Sequence, residues 1–173
     1  LGLPGPVLLG LGAIQREGGF KANSLKTFGG RSDTRMILHP GDLFVSLKDV
    51  TQSGDLLGAV ARVPAEVSQG RLTQDTVKLI PKADGVNLRY IYWCMRTPQY
   101  RAYCRSHATG TTNLGLPRED FLRFEVPPLT ENRRLLINLL EHLEDKIEVN
   151  ERVATTLEAM SQEIFRDWFV EFG

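Results

Sequence analysis

Apolar and polar positions alternate irregularly through the first three quarters of the chain and then fall into one long helical stripe. From Thr130 to Glu171 there is no proline or glycine, and Leu136, Leu140, Leu143, Ile147, Asn150, Ala154, Leu157, Ser161, Ile164 and Trp168 recur at alternating spacings of four and three. That is the seam of a coiled coil, with Asn150 and Ser161 as polar interruptions able to set register. Val153, Met160, Phe165 and Phe169 widen the stripe. Thr130 suits the N-cap, Glu131 suits the positive end of the helix dipole, and Gly173 supplies a stop. About 41 helical residues make a rod of roughly 60 Å. A compact body formed by the rest has a radius of gyration of only about 14 Å. Such a body leaves part of the stripe uncovered, so the pattern calls for a second helix, and the expected arrangement is a homodimer.

The preceding segment reads as mixed α and β. Asp42–Leu47 follows a Pro40-Gly41 turn and has strand character, Leu57–Val63 predicts a second strand, and Thr76–Ile80 a third that ends at Pro81. The apolar opening, residues 1–12, reads as strand and loop. Leu88–Arg105 carries helical spacing interrupted at Pro98, which predicts two short helices. Phe121, Phe124 and Val126 suggest a last strand running into Pro127-Pro128. The expected class is α+β, a globular domain over residues 1–129 followed by a long coiled-coil helix over residues 130–173.

Charge changes this picture. The formal net charge is zero, yet residues through Leu129 hold 16 Lys/Arg against 11 Asp/Glu, and the remainder holds 5 against 10. A basic body joined to an acidic rod admits a polyanionic partner for the body alone. Three polar stretches could meet one. The first contains Lys21, Lys26, Arg31 and Arg35. The second contains Lys48, Thr51, Gln52 and Ser53. The third contains Arg105, His107, Thr109, Thr111, Thr112 and Asn113. Arg and Lys suit phosphates or guanine edges, Gln and Asn suit adenine, and hydroxyls suit either. Each stretch alone is equally readable as a solvated surface loop, and Gly110-Thr111-Thr112 as a structural turn silent towards DNA.

Catalytic constellations fail on chemistry. Gly110 and Gly115 have P-loop spacing, but Leu116-Pro117 stands where lysine and a hydroxyl would hold phosphate and magnesium. Neither a dinucleotide-binding glycine motif nor a nucleophile elbow occurs, and His39, His107 and His142 suggest no triad. Asp42 with Lys48 faintly suggests a metal-dependent nuclease, but Ser46 stands where a second carboxylate is needed. Cys94 and Cys104 lie ten apart without metal-ligand spacing, so reduced thiols of a cytoplasmic protein are expected, with no metal. No apolar run reaches the roughly 20 residues that span a bilayer.

Specific words in the sequence then add a resemblance. His142–Val153 (HLEDKIEVNERV), Thr156–Met160 (TLEAM) and Ile164–Phe172 (IFRDWFVEF) closely resemble the long helical region of the specificity subunits of type I restriction–modification systems. Pro40-Gly41-Asp42-Leu43 resembles a motif that opens a strand in that family. Gly110-Thr111-Thr112, followed by Phe121 and Val126-Pro127-Pro128-Leu129, resembles its stretch before the helix. Asn132 departs from the glutamine the family commonly has there. A full subunit has two target-reading domains and two such helices, so one of each implies a half-subunit or a fragment. The resemblance implies a non-catalytic module that reads one half of a bipartite duplex DNA target and partners modification (methyltransferase) and restriction subunits. S-adenosylmethionine, ATP and magnesium would be bound by those partners and no cofactor by this chain. The expected interface positions on the helix are Leu136, Leu140, Leu143, Ile147, Asn150, Leu157, Ile164 and Trp168. The alternative is a coiled-coil scaffold without DNA affinity.

Overall fold

The structure is a computed structural model, and it describes residues 4–23 and 25–169. The described elements run β1 (Val7–Leu9), β2 (Ile37–Leu38), β3 (Leu43–Ser46), β4 (Lys48–Asp49), β5 (Val60–Arg62), β6 (Gly70–Leu72), β7 (Thr76–Lys78), α1 (Leu88–Cys94), α2 (Pro98–Ser106), β8 (Leu114–Gly115), α3 (Arg118–Arg123) and α4 (Glu131–Phe169). They divide into two units, one through Pro127 and one from Pro128.

The first unit holds two three-stranded sheets and a ribbon. β6 lies between β1, which it pairs in parallel, and β2, which it pairs antiparallel; β3 lies antiparallel between β5 and β7; β4 pairs antiparallel with β8. Residues of β3 are buried on both faces, which is why Leu43-Phe44-Val45 reads as a continuous apolar run rather than an alternating one. Its period of two still shows in the packing. Phe44 joins one core cluster with Leu9, Leu38, Ala61 and Val63, whereas Leu43 and Val45 join another with Tyr92, Tyr100, Cys104 and Leu116. Each fully buried side chain of this size contributes about 1.5–3 kcal/mol of transfer free energy.

Local chemistry explains the helix starts. Asn87 accepts from the Tyr90 amide (3.1 Å) to cap α1, and Thr97 accepts from the Tyr100 amide (3.4 Å) to cap α2. Pro98 occupies the first turn of α2, where its missing amide costs nothing. The expected strand at Phe121–Val126 is absent, and residues 118–123 form α3 instead. Pro117 precedes it, Glu119 and Asp120 occupy the first turn, and Phe121 and Phe124, three apart, both pack on the second core cluster. The strand expected at Leu57–Val63 is confined to β5, because Gly58 turns with φ +72°. The opening segment does contain a strand, β1.

In the second unit the Thr130 hydroxyl accepts from the Arg133 amide (3.4 Å) and its carbonyl from the Arg134 amide (2.9 Å), so Thr130 caps α4. Leu136, Leu143, Ile147, Leu157, Ile164 and Trp168 are exposed, Leu140 is half-buried, and Ile137, which lies off the predicted seam, is the helix's buried residue. The last expected helical residues and the Gly173 stop lie outside the described residues.

Burial raises the Cys104 thiol and the Tyr100 phenol above their ordinary pKa values of 9.0 and 10.0. Both groups are neutral when protonated, so their contribution is complete below the unfolded values and is lost as pH rises through the folded ones. The melting temperature should therefore fall progressively above about pH 9, and less steeply in Cys104→Ala. A flat profile to about pH 10.5 in thermal melts would refute the assignment.

Candidate nucleic-acid interface

The ribbon brings two of the three polar stretches together. Lys48 stands opposite Gly115 and Asp49 opposite Leu114, while Thr109 and Gly115 exchange two backbone hydrogen bonds of 2.8 Å. The loop after β4 and the loop before β8 are thus neighbours, although some 60 residues separate them along the chain. The first stretch belongs elsewhere. The carbonyl of Lys26 accepts from Leu8 (2.8 Å), Thr27 bridges Val7, and Phe28 donates to Pro6 (3.0 Å), so this segment runs along β1 at the edge of the other sheet.

Internal bonding sorts the candidate side chains. Arg35 is paired with Asp33, which caps a short 3-10 helix over Thr34–Met36 and is held at a pKa of about 2 by that guanidinium and the Arg35 amide. Lys48 pairs with Asp75 (3.1 Å), and Arg105 lies 3.8 Å from Glu17. Thr51 donates to Asp49 (2.8 Å) and shares a bond with Ser53 (2.9 Å), which donates to Asp55 (3.0 Å). His107 is stacked on Tyr103 (centroids 4.0 Å apart) and bonds its carbonyl (2.9 Å), and Thr109 donates to Gly115 (3.1 Å). These groups are at least partly used by the fold. Gln52, Thr111, Thr112 and Asn113 are exposed and make no side-chain hydrogen bond among the described residues, and the same holds for Lys21, Lys26 and Arg31. Gly110, at φ +94°, turns the third stretch back on itself. A Cβ there would meet the Asn113 carbonyl at 2.3 Å, so the Gly110–Thr112 turn needs glycine whatever its neighbours contact.

Two anchoring residues carry no sequence signal as site residues. Asp49 is fully buried at the base of the second loop, and Arg101 on α2 is 2% exposed behind it. The turn Gln15–Gly19 also reaches this loop, where the Glu17 amide donates to Asp55 (3.0 Å) and Arg16 lies 3.8 Å from its carboxylate. Among the described residues, no cluster of His, Cys, Asp or Glu could hold a metal ion, no helix is long and apolar enough to cross a membrane, and both cysteines are buried and free.

Known proteins with this pattern point one way. The chain is 29% identical over 115 residues to a type I restriction enzyme specificity subunit from Methanocaldococcus jannaschii, and that match covers 66% of the chain and 25% of the relative. It is 38% identical over 45 residues to the corresponding HindI subunit of Haemophilus influenzae, covering 26% of the chain and 10% of that relative. Over the matched residues the chain is similar to type I restriction enzyme specificity subunits. The HsdS subunit of Thermoanaerobacter tengcongensis has the same fold over 93% of this chain and 41% of its own, with a TM-score of 0.54 at 15% identity. No protein-family model matches. These alignments span a quarter or less of the curated specificity subunits.

Proposed function

We propose that this chain is a DNA-reading module of a type I specificity subunit, in which the unit through Pro127 reads one half of a bipartite duplex target. The observation that carries this is the β4–β8 pairing, which sets Gln52 beside a loop bearing Thr111, Thr112 and Asn113, all without internal hydrogen-bond partners among the described residues. Amides of Gln and Asn pair in a fork with adenine, and hydroxyls serve bases or phosphates. Lys21, Lys26 and Arg31 are assigned to phosphates. The helix α4 pairs with a second long helix, here a second copy of the chain, and sets the distance between half-sites. The chain performs no catalysis and binds no cofactor. Modification subunits carry S-adenosylmethionine, flip an adenine and methylate it, and a restriction subunit uses ATP and magnesium.

The purified chain should shift duplex DNA in a salt-sensitive manner and enrich a motif from a pool of random duplexes. A coiled-coil scaffold would do neither. Alanine at Gln52, Arg105 or Asn113 should relax the enriched motif, at about 1–3 kcal/mol of discrimination per lost bidentate contact. Alanine at Lys26 or Arg31 should instead weaken all duplexes alike and flatten the salt slope by about one unit each. Equal losses on selected and random duplexes for all three of the former variants would sink the base-reading assignment.

A further inference from the structure

The loop from Val50 to Leu57 contains no regular element, yet it is held at several points along its length. At its base Asp49 is wholly buried. One of its carboxylate oxygens accepts from the Thr51 amide and hydroxyl (2.8 Å each), and the other from the Leu56 amide (2.7 Å). From behind, the Arg101 guanidinium donates to the carbonyls of Leu57 (2.6 Å), Asp55 (2.6 Å) and Gly54 (3.3 Å). The fork donates from two separate nitrogens, one to Leu57 and one to Asp55 and Gly54, whereas an ammonium gathers its three donors on a single nitrogen. A guanidinium kept from water with carbonyls as its hydrogen-bond partners is a costly means of filling space, and a methionine of similar length would fill it without desolvating a charge. What the arginine supplies beyond packing is a fixed loop backbone. Gln52 sits on that loop, exposed, and a base-edge contact requires its amide in one orientation before DNA arrives.

We propose that Arg101, seconded by Asp49, is a positioning residue for sequence reading: it pre-forms the 50–57 loop so that Gln52 is presented to a base edge. The proposal rests on the DNA-reading assignment above. Because Arg101 is 2% exposed, it contributes nothing to phosphate contact, and its loss acts on discrimination through the loop.

The test uses the full chain with Arg101→Lys, Arg101→Met and Asp49→Asn. Three quantities are read: amide hydrogen exchange over residues 50–57, affinity for the duplex enriched by the wild-type chain, and affinity and salt slope on a random duplex. The expected result is faster exchange confined to the loop and a drop of about tenfold or more in the ratio of enriched to random affinity, with random-duplex affinity and salt slope unchanged. Arg101→Lys should resemble Arg101→Met, because charge alone does not replace the fork. Parallel loss on both duplexes, or retained discrimination with a loosened loop, overturns the proposal. So does unfolding of all three variants, which would make these residues supports of the whole domain. A wild-type chain that enriches no motif overturns the DNA reading itself, and the exchange measurement, which involves no DNA, separates that failure from one in which Arg101 does not hold the loop.

Discussion

Gly58→Ala should destabilise the first unit by about 2–5 kcal/mol, the sum of a left-handed backbone cost of about 1–2 kcal/mol and an overpacking cost of about 1–3 kcal/mol. The residue stands at φ +72°, and a Cβ there would lie 2.4 Å from the Cys104 sulfur and 3.0 Å from the Tyr100 hydroxyl. Neither neighbour can swing aside. Cys104 is fully buried, and Tyr100 is 1% exposed with its hydroxyl donating to the Gly58 carbonyl (2.9 Å). Against a total stability of about 5–15 kcal/mol, such a loss leaves the domain marginal. Urea denaturation gives the value directly. Adding Cys104→Ala to Gly58→Ala should recover the part of the steric share due to the sulfur and leave the backbone share and the Tyr100 contact in place. A change within about 0.5 kcal/mol for Gly58→Ala would refute the close packing of Gly58 against α2.

Leu143→Asp combined with Leu157→Asp should convert a self-associating chain into a monomer. The two side chains are 48% and 56% exposed, and they belong to an apolar stripe that α4 carries over most of its described length. In the proposed pairing a carboxylate at either position would be buried against leucine or isoleucine on the partner helix, and two would be prohibitive. Helical circular dichroism should fall along with the mass, since an unsupported helix of this composition is marginal in water. Val149→Asp serves as the control. Val149 is similarly exposed, at 47%, but lies off the heptad seam, so this change should leave the association intact. Light scattering decides the matter, and a wild-type chain that is strictly monomeric at micromolar concentration refutes the pairing.

The elements legible in advance were those whose cause is local. α4 declares itself by a seam repeated at four and three, by Thr130 and by the double proline. The break between α1 and α2 declares itself by Pro98, and β3 by an apolar run after a turn. Where local cues were compatible with two outcomes, packing chose between them. Phe121 and Phe124 suit a strand or one face of a helix, and Pro117 with the acidic first turn settled on α3. β6, with a glycine and an arginine in three residues, has no strand signal at all. Its pairing with β1 links residues more than 60 positions apart.

The candidate site divides along the same line. By itself the sequence determined which segments are polar, basic and rich in forked side chains, and that the acidic helix is set apart from the basic body. Only the tertiary structure decided that the second and third stretches share a ribbon while the first runs along the other sheet. It also decided that Thr51, Ser53, His107 and Thr109 are committed to internal bonds and Gln52 and Asn113 are not. Asp49 and Arg101 escaped notice because a charged residue in sequence is by default a solvated one. Their surroundings come from residues far away in the chain, Leu114 opposite Asp49 and the carbonyls of Gly54, Asp55 and Leu57 around Arg101, and a side chain's chemistry says what it can bond but not which partner the fold brings within reach.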